Sequence, residues 1–334
     1  MLPVAPPGYS IGIDLGGTNL RIAAYSGQSQ QMEAISLRTR LEEGPATVLR
    51  DMAGAVRSLQ QKFASHGSFA GVGIGSPGPI ELPEGKLSAP SNLPGWDGLE
   101  LRSELQHLLN MPVIVESDAN AAALAEWRLG AGRVHGVDSM AMFTLGTGVG
   151  GGLILNGKIW HGAMGMAAEP GHTVVYPGGL MCNCGTLGCL EMYASATAVR
   201  RMAAETAAAS ADSLQSRLKE NSAIHAHDVA ALARHGDAPS LEIFQVVGRS
   251  LGLGMASAVA ALNLPLYVIG GGLAQAWDLF SPAMFRSLAE SSQIYRLTAP
   301  ENVDRIQPRM TNVVPAHLGP EAGLLGAALL PIFQ

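Results

Sequence analysis

The sequence is poor in charged and aromatic residues, and both shortages narrow its class. Of its 334 residues only 14% are charged and 5% are aromatic, whereas an average globular chain has about 25% charged residues. The net charge of −6 is spread along the chain, and no basic run offers itself to a nucleic-acid backbone. Hydrophobic residues reach 47%, which is enough for a core and excludes intrinsic disorder.

Targeting signals and unbroken apolar runs are also missing. The segment 1–10 has no basic residue and does not resemble a secretory signal. Residues 250–277 carry no charge, but Pro265 and the glycines at 270–272 interrupt them. This pattern favours a buried helix followed by a buried strand, because a membrane span needs about 20 continuous apolar residues. Only three cysteines are present, too few and too closely spaced for a disulfide framework, so a soluble cytoplasmic protein is expected.

Glycine, in contrast, is abundant, with 41 residues. Residues 9–25 and 139–160 each alternate around a glycine turn, which predicts two hairpins. This weak repeat suggests two related α/β domains facing one cleft, and two unrelated hairpins in one sheet are the alternative. Helices are predicted at 45–66, 99–109 and 119–129, and short buried strands at 70–74, 113–115 and 266–269.

The two glycine turns are candidate phosphate-binding sites. Two letter matches to G-x-G-x-x-G, starting at Gly73 and Gly146, lack the strand–turn–helix context of a dinucleotide site, and no Walker motif occurs. Small residues in a hairpin turn can instead point several backbone N–H groups at one anion. The candidates are Gly16, Gly17, Thr18, Gly146, Thr147 and Gly148, with Asp14 as a magnesium ligand. Ordinary hairpin chemistry explains either turn alone; the pair favours phosphate.

The cysteine-rich segment is the most specific local signal. Cys182, Cys184 and Cys189 lie within eight residues, and His172 precedes them. Three thiolates and one imidazole match a structural zinc site, and the glycines between them let the loop wrap around a tetrahedral ion. Four protein ligands leave no open position, so a catalytic zinc is disfavoured. Buried free cysteines are the weaker alternative.

Three acidic residues stand near these segments. Asp118 follows a strand and precedes an alanine-rich helix, so a helix N-cap is one interpretation of it. Glu169 and Glu191 flank the cysteine segment, where each is either a surface carboxylate or part of a polar sugar or alcohol site.

Over almost its whole length the chain resembles the ROK family of sugar kinases and related repressors. The motifs that carry the resemblance are DLGGTNLRIA from Asp14, GIGSPGPI from Gly73, SDANAAALAEWRLGAG from Ser117, LGTGVGGG from Leu145, EPGH from Glu169, CNCGTLGCLE from Cys182 and VIGGGLAQA from Val268. The resemblance implies a two-domain actin-like (ribonuclease H-like) α/β ATPase fold with an active-site cleft between the domains. The expected domains are 1–116 with a C-terminal helix at about 318–334, and 117–317 with the zinc loop at 172–189.

The resemblance also implies roles for individual residues. Asp118 would be the general base. The sugar would be bound by Asn92, Ser117, Asp118, Glu169, His172 and Glu191, the nucleotide by Asp14, Gly16, Gly17, Thr18, Asn19, Gly146, Thr147, Gly148, Gly271 and Gly272, and zinc by His172, Cys182, Cys184 and Cys189. Two positions depart from the family pattern: Ser117 stands where asparagine is usual, and Ala168 where glycine is usual.

The implied activity is ATP- and Mg²⁺-dependent phosphorylation of glucose at O6 by a cytoplasmic homodimer. An N-acylhexosamine kinase or a fructokinase of the same family is the alternative. A sugar-responsive repressor is the rival class, but only thirteen residues precede Asp14, with no expected room for a helix-turn-helix.

Overall fold

The computed structural model describes residues 8–90, 92–209, 224–302, 307 and 309–333. The chain divides into two compact units. Unit 1 contains residues 1–134, 152–168 and 320–334, and unit 2 contains residues 135–151 and 169–319. Each unit combines a mixed β-sheet with helices, as the predicted α/β class requires.

Unit 1 has a five-stranded sheet that begins with the predicted hairpin. The strands are β1 (Tyr9–Leu15), β2 (Asn19–Ser26), β3 (Gln31–Arg38), β4 (Phe69–Ser76) and β7 (Val113–Ser117), in the order β3-β2-β1-β4-β7. β1, β2 and β3 pair antiparallel, whereas β1, β4 and β7 run parallel. A separate two-stranded ribbon joins β5 (Ile80–Glu81) to β6 (Lys86–Leu87). The parallel strands end at the same edge, where ligands bind in open α/β sheets.

The helices of unit 1 cover this sheet. They are α1 (Pro45–Lys62), α2 (Leu101–Leu109), α3 (Asp118–Arg128) and α11 (Ala322–Phe333); α4 (Ala131–His135) crosses the boundary with unit 2. α1 buries an apolar stripe made of Val48, Met52, Val56 and Leu59, and Phe63 directly after the helix is buried too. α11 packs on β1, β4 and α3 at glycines: a Cβ on Gly73 would lie 2.0 Å from the Ala327 carbonyl oxygen, and one on Gly326 would lie 1.8 Å from that of Ala121. Any larger residue would push the helix off the sheet.

Unit 2 carries the second sheet's hairpin turn and most of the helices. The second sheet has the order β10-β9-β8-β11-β12, made of β8 (Met140–Leu145), β9 (Val149–Leu155), β10 (Lys158–Ile159), β11 (Leu266–Gly270) and β12 (Asn312–Pro315). From residue 152 onwards β9, and all of β10, belong to unit 1. β11 runs parallel to both β8 and β12. The helices are α5 (Glu191–Ala194), α6 (Ala196–Ala209), α7 (Ala226–Arg234), α8 (Ala238–Leu262), α9 (Trp277–Ser291) and α10 (Gln293–Thr298).

α8 is the one described helix that is long and apolar enough to cross a membrane. Most of its apolar window is buried inside the protein, and α9 packs along it. The predicted arrangement, a buried helix followed by the buried strand β11, matches what the structure contains here.

The compact units divide the chain differently from the predicted domain limits of 1–116 and 117–317. α3 belongs to unit 1 because it starts at Asp118, directly after β7 ends at Ser117, and packs on α11. Residues 152–168 also belong to unit 1. At the end of that segment Ala168 has φ = +63°, a conformation that glycine adopts without strain. The glycine that is usual at this position would adopt the same positive φ without a steric cost.

Candidate active site

Asp118 lies at the junction of β7 and α3, at the carboxyl edge of the parallel strands. The interpretation of Asp118 as the helix N-cap is wrong, because Ser117 is the N-cap: its Oγ accepts a hydrogen bond of 3.1 Å from the Asn120 backbone N–H. Asp118 is the first helical residue and its carboxylate is exposed, with Oδ1 accepting from the Ala119 N–H at 2.7 Å. A carboxylate at a helix N-terminus is stabilised in its charged form by the helix dipole. An exposed carboxylate is one of the side-chain groups that can act as a general base towards a bound alcohol.

The buried carboxylate of Glu116 stabilises the same junction through hydrogen bonds. Glu116 is fully buried, and its Oε1 accepts hydrogen bonds of 2.9 Å from the Ser117 N–H and from Asn120 Nδ2. Its Oε2 lies 2.5 Å from His161 Nε2. This hydrogen bond raises the pKa of the His161 imidazole, an effect that burial opposes. Sequence reasoning missed both residues, although a lone acidic residue in the apolar strand 113–117 is itself a signal of a paired buried charge.

The first glycine turn joins β1 to β2. The Gly16 N–H donates to the Asn19 carbonyl at 2.9 Å, and the buried Thr39 hydroxyl donates to the Gly16 carbonyl at 2.7 Å. Thr18 and Asn19 are exposed. A Cβ on Gly17 would lie 2.7 Å from the Asn92 carbonyl oxygen. The structure thus brings the predicted sugar residue Asn92 beside the predicted phosphate turn; its neighbour Ser91 lies outside the described residues.

Asp14 precedes this turn and forms a salt bridge with Arg21. Arg21 Nη2 lies 2.9 Å from Asp14 Oδ2, and Arg21 Nη1 lies 2.9 Å from Glu321 Oε1. Asp14 stands opposite Gly75 of β4, and Gly75 stands opposite Glu116 of β7, so Asp14 and the Asp118 junction share one sheet edge. A cavity of about 590 Å³ opens here, lined by Asp14, Gly16, Thr18, Asn19, Arg21, Ser36 and Pro320.

The second glycine turn, between β8 and β9, is tighter. The Gly146 N–H donates to the Gly148 carbonyl at 2.9 Å, and Thr147 at the tip is exposed. Glu191 Oε2 accepts a bond of 2.9 Å from the Val149 N–H. The turn also lies beside Gly271, where φ = +84° and a Cβ would lie 2.4 Å from the Leu145 carbonyl oxygen. Gly272 has open space around it, so the predicted nucleotide residues of unit 2 share one edge of the second sheet.

The predicted sugar residues of unit 2 also come together. The pKa of the Glu169 carboxyl is raised, mainly because the surrounding protein atoms desolvate it; His172 opposes this shift and the charge of Glu191 adds to it. Glu169 thus lies within electrostatic range of both His172 and Glu191, and two carboxyl groups with an imidazole can bind several hydroxyl groups of a polyol. Such a set accepts and donates hydrogen bonds at the same time.

The four predicted zinc ligands form one cluster. The donor atoms of His172, Cys182, Cys184 and Cys189 all lie within 4.8 Å of one another. His172 Nδ1 is 3.7 Å from Cys182 Sγ, and Cys184 Sγ is 3.6 Å from Cys189 Sγ. Zinc–sulfur bonds of about 2.3 Å in a tetrahedron require separations of about 3.8 Å. The cluster therefore fits a structural zinc ion, with His172 Nδ1 towards the metal.

Comparison with known proteins shows which family resembles this chain over nearly all of its length. The ROK family model matches residues 10–332. A glucokinase of Halalkalibacterium halodurans is 36% identical over 323 residues, which cover 96% of this chain and 94% of that protein. An N-acetylmannosamine kinase of Escherichia coli is 31% identical over 325 residues, covering 96% and 97%.

A solved structure extends the likeness to three dimensions. The crystal structure of a ROK family glucokinase from Streptomyces griseus in complex with glucose and AMPPNP matches with a TM-score of 0.78 at 30% identity. The match covers 97% of this chain and 99% of that one. The predicted fold class is thereby confirmed.

Proposed function

Because the chain belongs to the ROK family, we propose that it transfers the γ-phosphoryl group of ATP to O6 of glucose. The observation that carries this proposal is the exposed Asp118 carboxylate at the N-terminus of α3, on the sheet edge that also carries Asp14 and the first glycine turn. The glucokinases of Halalkalibacterium halodurans and Streptomyces griseus support glucose as the acceptor.

Asp118 acts as the general base in this reaction. It accepts the proton of the sugar hydroxyl while the oxygen forms a bond to the γ-phosphorus, and the bond from phosphorus to the bridging oxygen breaks to release ADP. A positioned base typically contributes about 10²–10⁴-fold to the rate. Most of the remaining acceleration comes from alignment and from neutralising charge on the phosphoryl oxygens.

Six side chains are the candidates for binding the sugar through hydrogen bonds: Asn92, Ser117, Asp118, Glu169, His172 and Glu191. Ser117 accepts the capping bond from the Asn120 N–H with one lone pair, so its hydroxyl proton and its second lone pair are available to a sugar hydroxyl. With His172 Nδ1 in the zinc cluster, its Nε2 is the nitrogen available to the sugar.

The nucleotide is held by the two glycine turns. The phosphate-binding candidates are Gly16, Gly17, Thr18 and Asn19 in the first turn and Gly146, Thr147 and Gly148 in the second, and Gly271 with Gly272 is the candidate for the nucleoside. Asp14 suits Mg²⁺ because its carboxylate lines the cavity beside the first turn. When bound, Mg²⁺ neutralises charge on the transferred phosphoryl group. The zinc cluster orders the sugar-binding residues around it and does not reach the phosphoryl group.

The setting of the enzyme is part of the proposal. Three closely spaced thiolates suit a reducing compartment, so we place the enzyme in the cytoplasm, working as a homodimer on a free hexose. Sedimentation of the purified protein at several concentrations tests the dimer.

A sugar panel tests the reaction and its specificity. Comparing kcat/KM for glucose, mannose, fructose, N-acetylglucosamine and N-acetylmannosamine with ATP and Mg²⁺ should place glucose first and mannose behind it. The 31% identity to an N-acetylmannosamine kinase makes an N-acylhexosamine the second candidate. An N-acylated sugar or fructose ahead of glucose would reject the glucokinase assignment and leave the kinase assignment standing; no phosphorylation of any hexose would reject both.

A further inference from the structure

We propose that Glu191 is a positioning residue that couples the sugar site to the second glycine turn, so that bound glucose raises the affinity for ATP. This inference rests on the proposed function, in which Glu191 contacts the sugar. The coupling lies within unit 2. It gives the Glu191 carboxylate two partners, the sugar and the second glycine turn, which sequence analysis assigned to separate sites.

The contact between Glu191 and the turn is direct. Glu191 Oε2 accepts a hydrogen bond of 2.9 Å from the backbone N–H of Val149, a buried residue immediately after the turn. A Cβ on Gly148 would lie 2.2 Å from the same oxygen. Only glycine lets the carboxylate approach the backbone this closely, so the glycine at 148 serves the Glu191 contact as well as the turn.

Two further bonds hold the turn, and both come from residues shortly after Glu191. The Ala196 N–H donates to the Gly146 carbonyl at 2.8 Å, and the Thr197 hydroxyl donates to the Thr147 carbonyl at 2.7 Å. Residues 191–197 therefore support both ends and the tip of the turn. Of these three contacts, the one from Glu191 is made by a side chain that the proposed function also places on the sugar.

A bound sugar would change the state of this contact. Glu191 is half-buried, so without sugar its carboxylate can exchange the Val149 N–H for water. A sugar hydroxyl that donates to Oε1 holds the carboxylate in one rotamer and keeps Oε2 on the Val149 N–H. The turn is then ordered before the nucleotide arrives, and the nucleotide no longer has to order it. By linkage, ATP must raise the affinity for glucose by the same factor.

Calorimetry with Mg²⁺ and a non-hydrolysable ATP analogue tests this coupling. The Kd of the ATP analogue is measured without sugar and with saturating glucose, and the ratio of the two Kd values reports the coupling. In the wild type we expect glucose to lower the Kd about fivefold or more, the lower end of typical couplings. In Glu191→Ala the ratio should fall to about one, within twofold, because neither partner is held.

Two variants separate coupling from simple structural damage. Glu191→Gln keeps a carbonyl oxygen for the Val149 N–H and should retain part of the ratio. Thr197→Val removes a contact to the turn that does not involve the sugar, so it should weaken nucleotide binding equally with and without glucose and leave the ratio unchanged. Zinc content and Tm are measured for each variant to establish that the loop is intact.

The results distinguish this inference from the proposed function. A wild-type ratio near one, or a Glu191→Ala ratio equal to that of the wild type, overturns the coupling while glucose phosphorylation stands. A wild type that neither binds nor phosphorylates glucose overturns the proposed function itself. Loss of the ratio in Thr197→Val as well would assign the coupling to general rigidity of the turn and overturn the role of Glu191.

Discussion

The two glycine turns have the same strand–turn–strand plan and are supported in different ways. The first, Gly16–Asn19, closes over four residues, and the buried Thr39, which follows β3 directly, supports it. The second closes over three residues, Gly146–Gly148, and a carboxylate and an exposed threonine support it. Each turn lies at the carboxyl edge of a parallel pair of strands, β1 with β4 and β8 with β11.

The two units also differ in which candidate residues accompany each turn. Unit 1 combines its turn with Asp14 and with the Asp118 junction, so the residues proposed for phosphate and proton transfer share one sheet edge. Unit 2 combines its turn with Glu191 and the zinc cluster, whose residues are proposed to recognise the sugar. Substitution of Asp118 should therefore lower kcat, and substitutions of Glu191 or of the zinc-cluster residues should change sugar affinity and its link to the nucleotide.

The largest effect is expected at Asp118. Asp118→Asn should lower kcat at least about 100-fold because the acceptor hydroxyl loses its base, while glucose affinity and zinc content change little. Steady-state kinetics and calorimetry measure the two parts. Glu84→Gln, which removes an exposed carboxylate of the same unit, is the matched control. A variant that retains more than about a tenth of wild-type kcat contradicts the role of Asp118.

In unit 2, the largest effect is expected from loss of a zinc-cluster residue. The wild type should contain about one zinc per chain. Cys184→Ser should lose this metal, lower the free energy of unfolding by about 2 kcal/mol or more, and raise the KM for glucose. Metal analysis, denaturation and kinetics follow the three effects. Asn183→Ser, at the exposed neighbouring residue, should alter none of them. Full activity in protein free of zinc would remove the structural role.

Two threonines compare the turns directly. Thr39→Val leaves the Gly16 carbonyl without its buried donor, at a cost of about 1–3 kcal/mol, and should weaken binding of the ATP analogue about fivefold or more. Thr197 is exposed, so water replaces its hydroxyl in Thr197→Val and the loss should stay below about threefold. Calorimetry without sugar measures both. Equal losses would mean that the two turns do not differ in how firmly they are supported.

The smallest effect is a pH dependence from His161 in unit 1. Its bond to Glu116 raises the pKa of the folded imidazole, so the stabilisation is complete below the unfolded pKa of about 6.5 and disappears as the pH rises through the higher folded value. The difference in unfolding free energy between wild type and His161→Gln should therefore shrink from pH 6 towards pH 8. His107→Gln, at an exposed histidine, should show no such trend. A difference that grows with pH would contradict a protonated His161.

Local patterns were enough to predict much of this fold. The apolar stripe of α1, the alternation in β1 and β2, and the spacing of the four zinc-cluster residues are each contained in short segments of sequence. The contacts of Glu116 with His161 and of Glu191 with Val149 join residues 45 and 42 positions apart, and no periodicity encodes such pairs. Ser117 also had to be seen in place, because only the start of α3 decides whether the serine or the aspartate is the cap.

The packing of α11 has a consequence for how the protein is made. β1 and β4 leave the ribosome early, but Gly12 and Gly73 are shaped to receive the backbone of residues 324–328, which are synthesised after all of unit 2. The first residues of unit 1 are therefore synthesised before unit 2, and its last residues after unit 2. Until α11 has been synthesised, one face of the unit 1 sheet lacks its covering helix. A chain shortened before residue 322 would leave that face open to aggregation, whereas unit 2 has all of its residues by then.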